Sequence, residues 1–298
     1  MLGDTRMALQ DDQWFIEVCE EAGSAFALAL AEEGRLHREE SPFQTIEVFA
    51  TTHFGRVMTI DGFLMLTERD NFIYHEMMAH PVLFSHPQPR RVLIVGGGDC
   101  GTLREVLKHP GVEQATQVDI DERVTRVSEA YFPELCSAND DPRGELLFAD
   151  AIDWVKQAEA GSLDVIIVDS TDPVGPGEGL FTESFYRDCH RALATDGLIV
   201  QQSESPLIHL DSIVTPMHAA MRRAGFADSQ LLGFPQPTYP SGWWSATIAA
   251  ADGPVRFARA GDAEAARFAT AYYTADVQRA ALAQPAFVQQ ALQGIISD

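Results

Sequence analysis

The run Arg91-Val92-Leu93-Ile94-Val95-Gly96-Gly97-Gly98-Asp99-Cys100-Gly101 constrains this chain more than any other segment. Its apolar stretch reads as a strand buried on both faces, and the glycines that follow form a turn into a helix. Gly96, Gly98 and Gly101 carry the spacing of a nucleotide-binding strand–turn–helix. A dinucleotide site receives a pyrophosphate at that helix N-terminus. Here Asp99 stands in its place, so the turn opposes phosphate and favours a cationic nucleoside ligand.

From residue 91 the pattern alternates between strands and helices. Strands are expected at 92–95, 114–120, 145–148, 165–168 and 198–202, separated by helices at 102–108, 122–131, 151–158 and 183–194. A helix at 212–225 and closing strands at 231–234 and 245–249 follow. This predicts an α/β fold with a mainly parallel, Rossmann-like sheet. Residues 13–70 instead have β character, with Asp61-Gly62 as a hairpin signal. The expected division is a small N-terminal β domain at 1–70 and a catalytic α/β domain at 71–298. Residues 68–80 have helical spacing, and Pro81, Pro87 and Pro89 are expected to punctuate the passage between domains. The alanine-rich tail from Asp262 reads as helical, divided by Pro285.

The 298 residues carry a net charge of −23, which argues against a nucleic-acid partner because phosphate binding needs clustered Lys and Arg. Cys19, Cys100, Cys136 and Cys189 are far apart and form no C-x-x-C pair, consistent with free thiols in a cytoplasmic protein. The N-terminal residues lack a signal-peptide pattern, and no apolar run is long enough to cross a membrane.

Ligands of open α/β sheets bind at the carboxyl ends of the strands. Those ends read Asp99, then Asp119 with Asp121, then Asp150, then Asp169. A single Asp there is most simply a helix N-cap. Four strand ends in register point to a binding site. Asp119 lies about twenty residues past the glycine turn, where an acid accepts ribose hydroxyls. Asp150 is placed to reach a purine amine. A nucleoside with a cationic group, and no phosphate, describes an S-adenosylmethionine-type ligand better than NAD. The loop Asp169-Ser170-Thr171-Asp172-Pro173-Val174-Gly175-Pro176 has the Pro and Gly content of a lid. Its paired carboxylates lack His or Cys at ligand spacing, so no metal is expected, and they suit a diamine.

Several segments resemble bacterial spermidine synthases: Phe54-Gly55-Arg56-Val57-Met58, Thr67-Glu68-Arg69-Asp70 and Tyr74-His75-Glu76-Met77-Met78. Gly96-Gly97-Gly98-Asp99, Leu103-Arg104-Glu105-Val106, Asp169-Ser170-Thr171-Asp172-Pro173 and Pro237-Thr238-Tyr239-Pro240-Ser241-Gly242 complete the match. The resemblance implies transfer of aminopropyl from decarboxylated S-adenosylmethionine to putrescine, giving spermidine and methylthioadenosine, with no tightly bound cofactor. It implies adenosyl contacts from Gln44, Gly96, Gly98, Asp119, Asp150, Ala151 and Pro176. Amine contacts would come from His75, Asp99, Asp169, Ser170, Thr171, Asp172 and Tyr239. Asp169 would be the proton acceptor, Tyr74 would help position the attacking amine, and the chain would be a homodimer or homotetramer.

Asp119 stands where the family more often has Glu, Ala151 and Cys100 stand where it often has Gly, and Glu21 falls near an aromatic of the diamine channel in some members. Two other functions fit the pattern less well. A methyltransferase using intact S-adenosylmethionine would set its carboxylate against Asp99, and a non-catalytic polyamine-binding paralogue would not need Asp169, Asp172 and Tyr74 together. Trp243, Trp244, Met77 and Met78 read as packing or channel wall, and His53, His109 and His209 as surface or core.

Overall fold

The computed structural model describes residues 13–171 and 175–295. Five antiparallel strands form the first sheet in sequential order: β1 (Trp14–Cys19), β2 (Ser24–Glu40), β3 (Thr45–Thr51), β4 (Arg56–Ile60) and β5 (Phe63–Thr67). Asp61 and Gly62 both have positive φ, 51° and 88°, and so close the β4–β5 hairpin as the sequence predicts.

The second sheet has seven strands: β6 (Arg91–Gly96), β7 (Gln114–Asp119), β8 (Gly144–Phe148), β9 (Leu163–Asp169), β10 (Leu193–Gln202), β11 (Asp228–Pro235) and β12 (Trp243–Ala250). Their order is β11-β12-β10-β9-β6-β7-β8. The five strands from β10 to β8 are parallel, and β12 runs antiparallel to both of its neighbours. The Rossmann-like expectation is therefore met. The chain leaves β6 toward β7 and β8, then returns to place β9 on the other side of β6. That reversal opens a crevice at the carboxyl ends of β6 and β9.

Helices cover both faces. On one lie α1 (Asn71–Ser85) and α2 (Gly101–Leu107), with the tail segments α7 (Ala260–Ala265) and α8 (Ala275–Ala281) packed nearby. On the other lie α4 (Ala151–Gln157), α5 (Glu183–Ala192) and α6 (Thr215–Ala224). The last tail helix, α9 (Ala286–Leu292), covers Leu231 of β11. Helix α3 (Glu122–Tyr131) is different, because its Val124 and Val127 pack on Ile46, Val48, Met58 and Leu66 of the first sheet. Its N-cap Asp121 also accepts hydrogen bonds from Ser41 (2.6 Å) and Gln44 (3.0 Å), joining the two sheets at the crevice.

Pro81 does not end the first helix, contrary to the sequence expectation. Helix α1 runs through it to Ser85, and every residue except Phe72 is buried. Pro81 cannot donate to the carbonyl four residues earlier. Packing on all sides outweighs that single lost bond.

Candidate active site

A helix buried all round must find an internal partner for each polar side chain it carries, or lose the cost of desolvating it. Four residues of α1 do so in four directions. Tyr74 donates to Asp169 Oδ1 at 2.7 Å, and His75 Nε2 meets Asp99 Oδ2 at 3.0 Å. Glu76 accepts the backbone N–H groups of Ala271, Tyr272 and Tyr273 at 2.7, 2.9 and 2.7 Å. His80 lies 3.1 Å from Glu105 and 2.9 Å from His109. The first two partners line the crevice; the last two lie behind it.

The glycine turn explains itself by contact. Gly96 has φ of 78°, and a Cβ there would sit 2.3 Å from the carbonyl oxygen of Asp169 on the adjacent strand. A Cβ on Gly101 would sit 2.2 Å from the His75 ring. Asp99 Oδ1 accepts the Gly101 N–H at 2.7 Å, so the helix end that would hold a phosphate is filled by a carboxylate from the chain itself.

Electrostatics differ among the acids. Burial disfavours charge on both His75 and Asp99, but their mutual attraction outweighs it, raising the His75 pKa and lowering that of Asp99. Burial and then the Asp99 charge raise Asp169, despite hydrogen bonds from Thr102 and Tyr74. Asp119 is pushed up to about 6, chiefly by burial, with Asp121 and Asp169 adding repulsion. Burial beside Asp169 raises the Tyr74 phenol well above its usual value, so it remains a donor.

These groups surround a cavity of about 270 Å³. Asp99, Asp119, Asp150 and Asp169 all line it, and among the described lining residues there is no Lys, Arg or His. Met58, Ile60 and Leu66 from the first sheet, with Ile120, Ile152 and Leu180, make its apolar walls. A narrower pocket of about 40 Å³ shares Met65, Tyr74, Ser170, Thr171 and Tyr239 with it. Buried Glu17, whose carboxylate accepts the Leu64 N–H at 2.6 Å, lines that pocket with Gln202 and Trp244.

The structure brings most of the anticipated residues together. Gln44, Tyr74, Gly96, Gly98, Asp99, Asp119, Asp150, Ala151, Asp169, Ser170, Thr171 and Tyr239 all line the cavity. His75 is not among the lining residues and reaches the cavity through Asp99. Asp172 lies outside the described residues, and Pro176 falls in the short 3-10 helix Gly175–Phe181. Asp121 and Asp150 both serve as N-caps, the bland reading of a strand-end Asp, yet Asp150 also faces the cavity. Ala151 starts α4 without positive φ, so replacing glycine there carries no strain, whereas Cys100 does have φ of 67°.

Sequence reasoning missed Glu17, Gln202 and Thr102. Thr102, in the first turn of α2, donates to Asp169 Oδ2 at 2.6 Å. It also missed the partners of two histidines: His109 pairs with His80, and His209 Nε2 lies 2.9 Å from Glu21 Oε2. Trp244, Met77 and Met78 are buried as expected. Tyr239 is set in the wall by its hydroxyl on the Met65 carbonyl, and neighbouring Thr238 donates to buried Asp70 at 2.8 Å.

Two family models match the chain, the spermidine synthase tetramerisation domain over residues 13–68 and the spermine/spermidine synthase domain over residues 71–258. The chain belongs to the spermine/spermidine synthase family. The resemblance read from its motifs is thereby confirmed. This family member is 62% identical to a polyamine aminopropyltransferase of Thioalkalivibrio sulfidiphilus, covering 95% of this chain and 99% of the relative. It is 60% identical to that of Methylococcus capsulatus, covering 95% and 98%. Among solved structures it is similar to a spermidine synthase in complex with the transition state analogue AdoDATO, at TM-score 0.88 and 34% identity over 94% of each chain. The Thermotoga maritima spermidine synthase matches at TM-score 0.85 and 33% identity, over 94% of this chain and 93% of that one. No described helix is long and apolar enough to cross a membrane.

Proposed function

We infer that this protein is a polyamine aminopropyltransferase that moves the aminopropyl group of decarboxylated S-adenosylmethionine onto putrescine, yielding spermidine and methylthioadenosine. One observation carries the reading: a cavity at the sheet's switch point lined by four carboxylates, with no basic side chain among its described lining residues. Such a site selects ligands that bring positive charge, and both substrates do. The family relatives named polyamine aminopropyltransferase support the same reaction.

Asp119, with Gln44, is assigned to the ribose, and Asp150 with Ala151 to the purine. Gln44 is held in place by Asp121, its amide donating at 3.0 Å. The apolar walls enclose the base. Asp99, steadied by His75, is assigned to the amine of the aminopropyl donor. It also repels the carboxylate of intact S-adenosylmethionine, which disfavours methyl transfer. Glu17, in the lining of the narrow pocket, complements the second ammonium of a diamine, a role shared with Asp172.

An alkylammonium has a pKa of about 10 and is not nucleophilic at neutral pH. Asp169 takes one proton from it, becoming a neutral acid. The freed nitrogen lone pair attacks the methylene bound to sulfonium, and the C–S bonding pair passes to sulfur. The leaving group is then a neutral thioether that needs no acid. Tyr74 contributes by fixing Asp169 through its hydroxyl. Rate enhancement comes from alignment in the cavity together with the general base.

The proposal extends to a cytoplasmic homodimer or homotetramer with its domain division at residue 70. Exposed Trp14, Val18 and Phe63 on the first sheet support association there. The purified protein, given decarboxylated S-adenosylmethionine and separately putrescine, cadaverine, diaminopropane and spermidine, tests the reaction. Mass analysis should show an aminopropylated amine and equimolar methylthioadenosine, with putrescine preferred. Methyl transfer from intact S-adenosylmethionine, or no product, overturns it.

A further inference from the structure

We propose that Thr102 is a positioning residue for the reaction, one of two hydroxyl donors that hold the Asp169 carboxylate ionised and in a single orientation. This rests on the reading of Asp169 as the proton acceptor. Thr102 is fully buried and donates to Oδ2 at 2.6 Å, while Tyr74 donates to Oδ1 at 2.7 Å. The donors come from different helices, α2 and α1, which pack against one another. Each carboxylate oxygen has two lone pairs, so each keeps one for an incoming ammonium.

Thr102 is the second residue of α2, so no carbonyl of its own helix lies one turn before it to take the hydroxyl proton, as happens to threonines further along a helix. The Gly98 carbonyl, which precedes the left-handed N-cap Cys100, accepts instead from Thr125 at 2.8 Å and from the Cys100 thiol at 3.7 Å. With no acceptor in its own helix, the buried Thr102 hydroxyl donates to Asp169.

The charged surroundings show why a donor is needed. Asp99 faces Asp169 from the glycine turn, Asp119 from the end of β7, and Tyr74 and His75 from α1. His75, whose pKa is raised, is the one basic group of this set, and Asp99 already holds it. Burial and the neighbouring acid both favour the protonated form of Asp169. A protonated Asp169 cannot take a proton from the diamine. A hydroxyl that donates to the carboxylate stabilises the ionised form and pulls the other way.

The test is the pH dependence of kcat/KM for the diamine in Thr102→Val, Thr102→Ala and Thr102→Ser, with Asp169→Asn as a reference. In Thr102→Val and Thr102→Ala the acidic limb should move up by about one pH unit, so that about tenfold is lost on that limb and little above it. Thr102→Ser should restore the wild-type limb. Methylthioadenosine affinity should be unchanged in all three. A uniform loss at every pH with the limb unmoved overturns the proposal, as does a wild-type profile in Thr102→Ala. Near-normal turnover in Asp169→Asn instead removes the proton-acceptor reading on which the proposal rests.

Discussion

Two groups of enclosed carboxylates, one on each side of helix α1, show opposite electrostatics. Behind the helix, Glu105 is fully buried, yet its pKa falls to about 2: burial works against the charge, and His80 and Lys108 overcome it. Glu76 nearby is held by three backbone N–H groups. In front of the helix, burial raises Asp119 to about 6 and raises Asp169 as well. Glu105 is the more buried, yet it is the half-buried Asp119 and Asp169 whose pKa values rise; what differs is compensation. Structural acids are supplied with partners by the fold. Of the cavity acids, only Asp99 has such a partner among the described residues, in His75; Asp119 and Asp169 are left short of positive charge, and that deficit is what a cationic substrate fills.

The largest effect should come from removing Asp169, the proposed proton acceptor. Asp169→Asn is expected to lower kcat by about 100-fold or more while leaving methylthioadenosine binding intact. Rapid-quench turnover and calorimetric binding measure the two, and equal losses in both would make Asp169 a binding group only.

Glu105→Gln tests the other side of the comparison. It leaves Lys108 and His80 without their buried partner and should cost about 3 kcal/mol of stability, with kcat retained in the folded protein. The sign with pH follows from a depressed folded-state pKa. The wild-type contribution is present above the unfolded value near 4.5 and is lost as pH falls toward about 2. Denaturant melts at pH 7 and pH 3 distinguish this, since the gap between variant and wild type should narrow at the lower pH.

Asp119→Asn should go the other way. A raised folded-state pKa means stability is lost as pH rises from about 3.8 to about 6. The neutral amide therefore stabilises the unliganded protein at pH 7 by about 1 kcal/mol and gives little at pH 4. Nucleoside affinity should drop in the same variant. A destabilised Asp119→Asn at neutral pH would erase the distinction between the two sets.

The smallest effect concerns encounter. A chain of net charge −23 with an acidic cavity attracts polycations, so kcat/KM for putrescine should fall modestly between low and physiological salt, with kcat unchanged. A kcat/KM independent of salt would confine the deficit of charge to the cavity interior.

The cavity acids were legible because strand-end position in a parallel sheet follows from alternation in the sequence. Asp99, Asp119, Asp150 and Asp169 needed only the strands located, and the DG hairpin needed only two residues. The compensating partners were not legible. His80 and Glu105 are 25 residues apart on different helices, and Glu76 meets backbone 195 residues away. No local period encodes such pairs. Pro81 misled for a related reason, since its usual local effect is overridden by burial of the whole helix. Thr102 carried no signal of its own; its acceptor, Asp169, lies 67 residues away along the chain.

The clamp of Glu76 on residues 271–273 also has a kinetic consequence. The helix that carries Tyr74 and His75 is secured by a contact that closes a loop of 195 residues, among the costlier closures to make early in folding. The parallel sheet and its glycine turn draw on contacts much closer along the chain. On refolding from denaturant, strand formation should therefore run ahead of the recovery of turnover, which waits for the tail to dock.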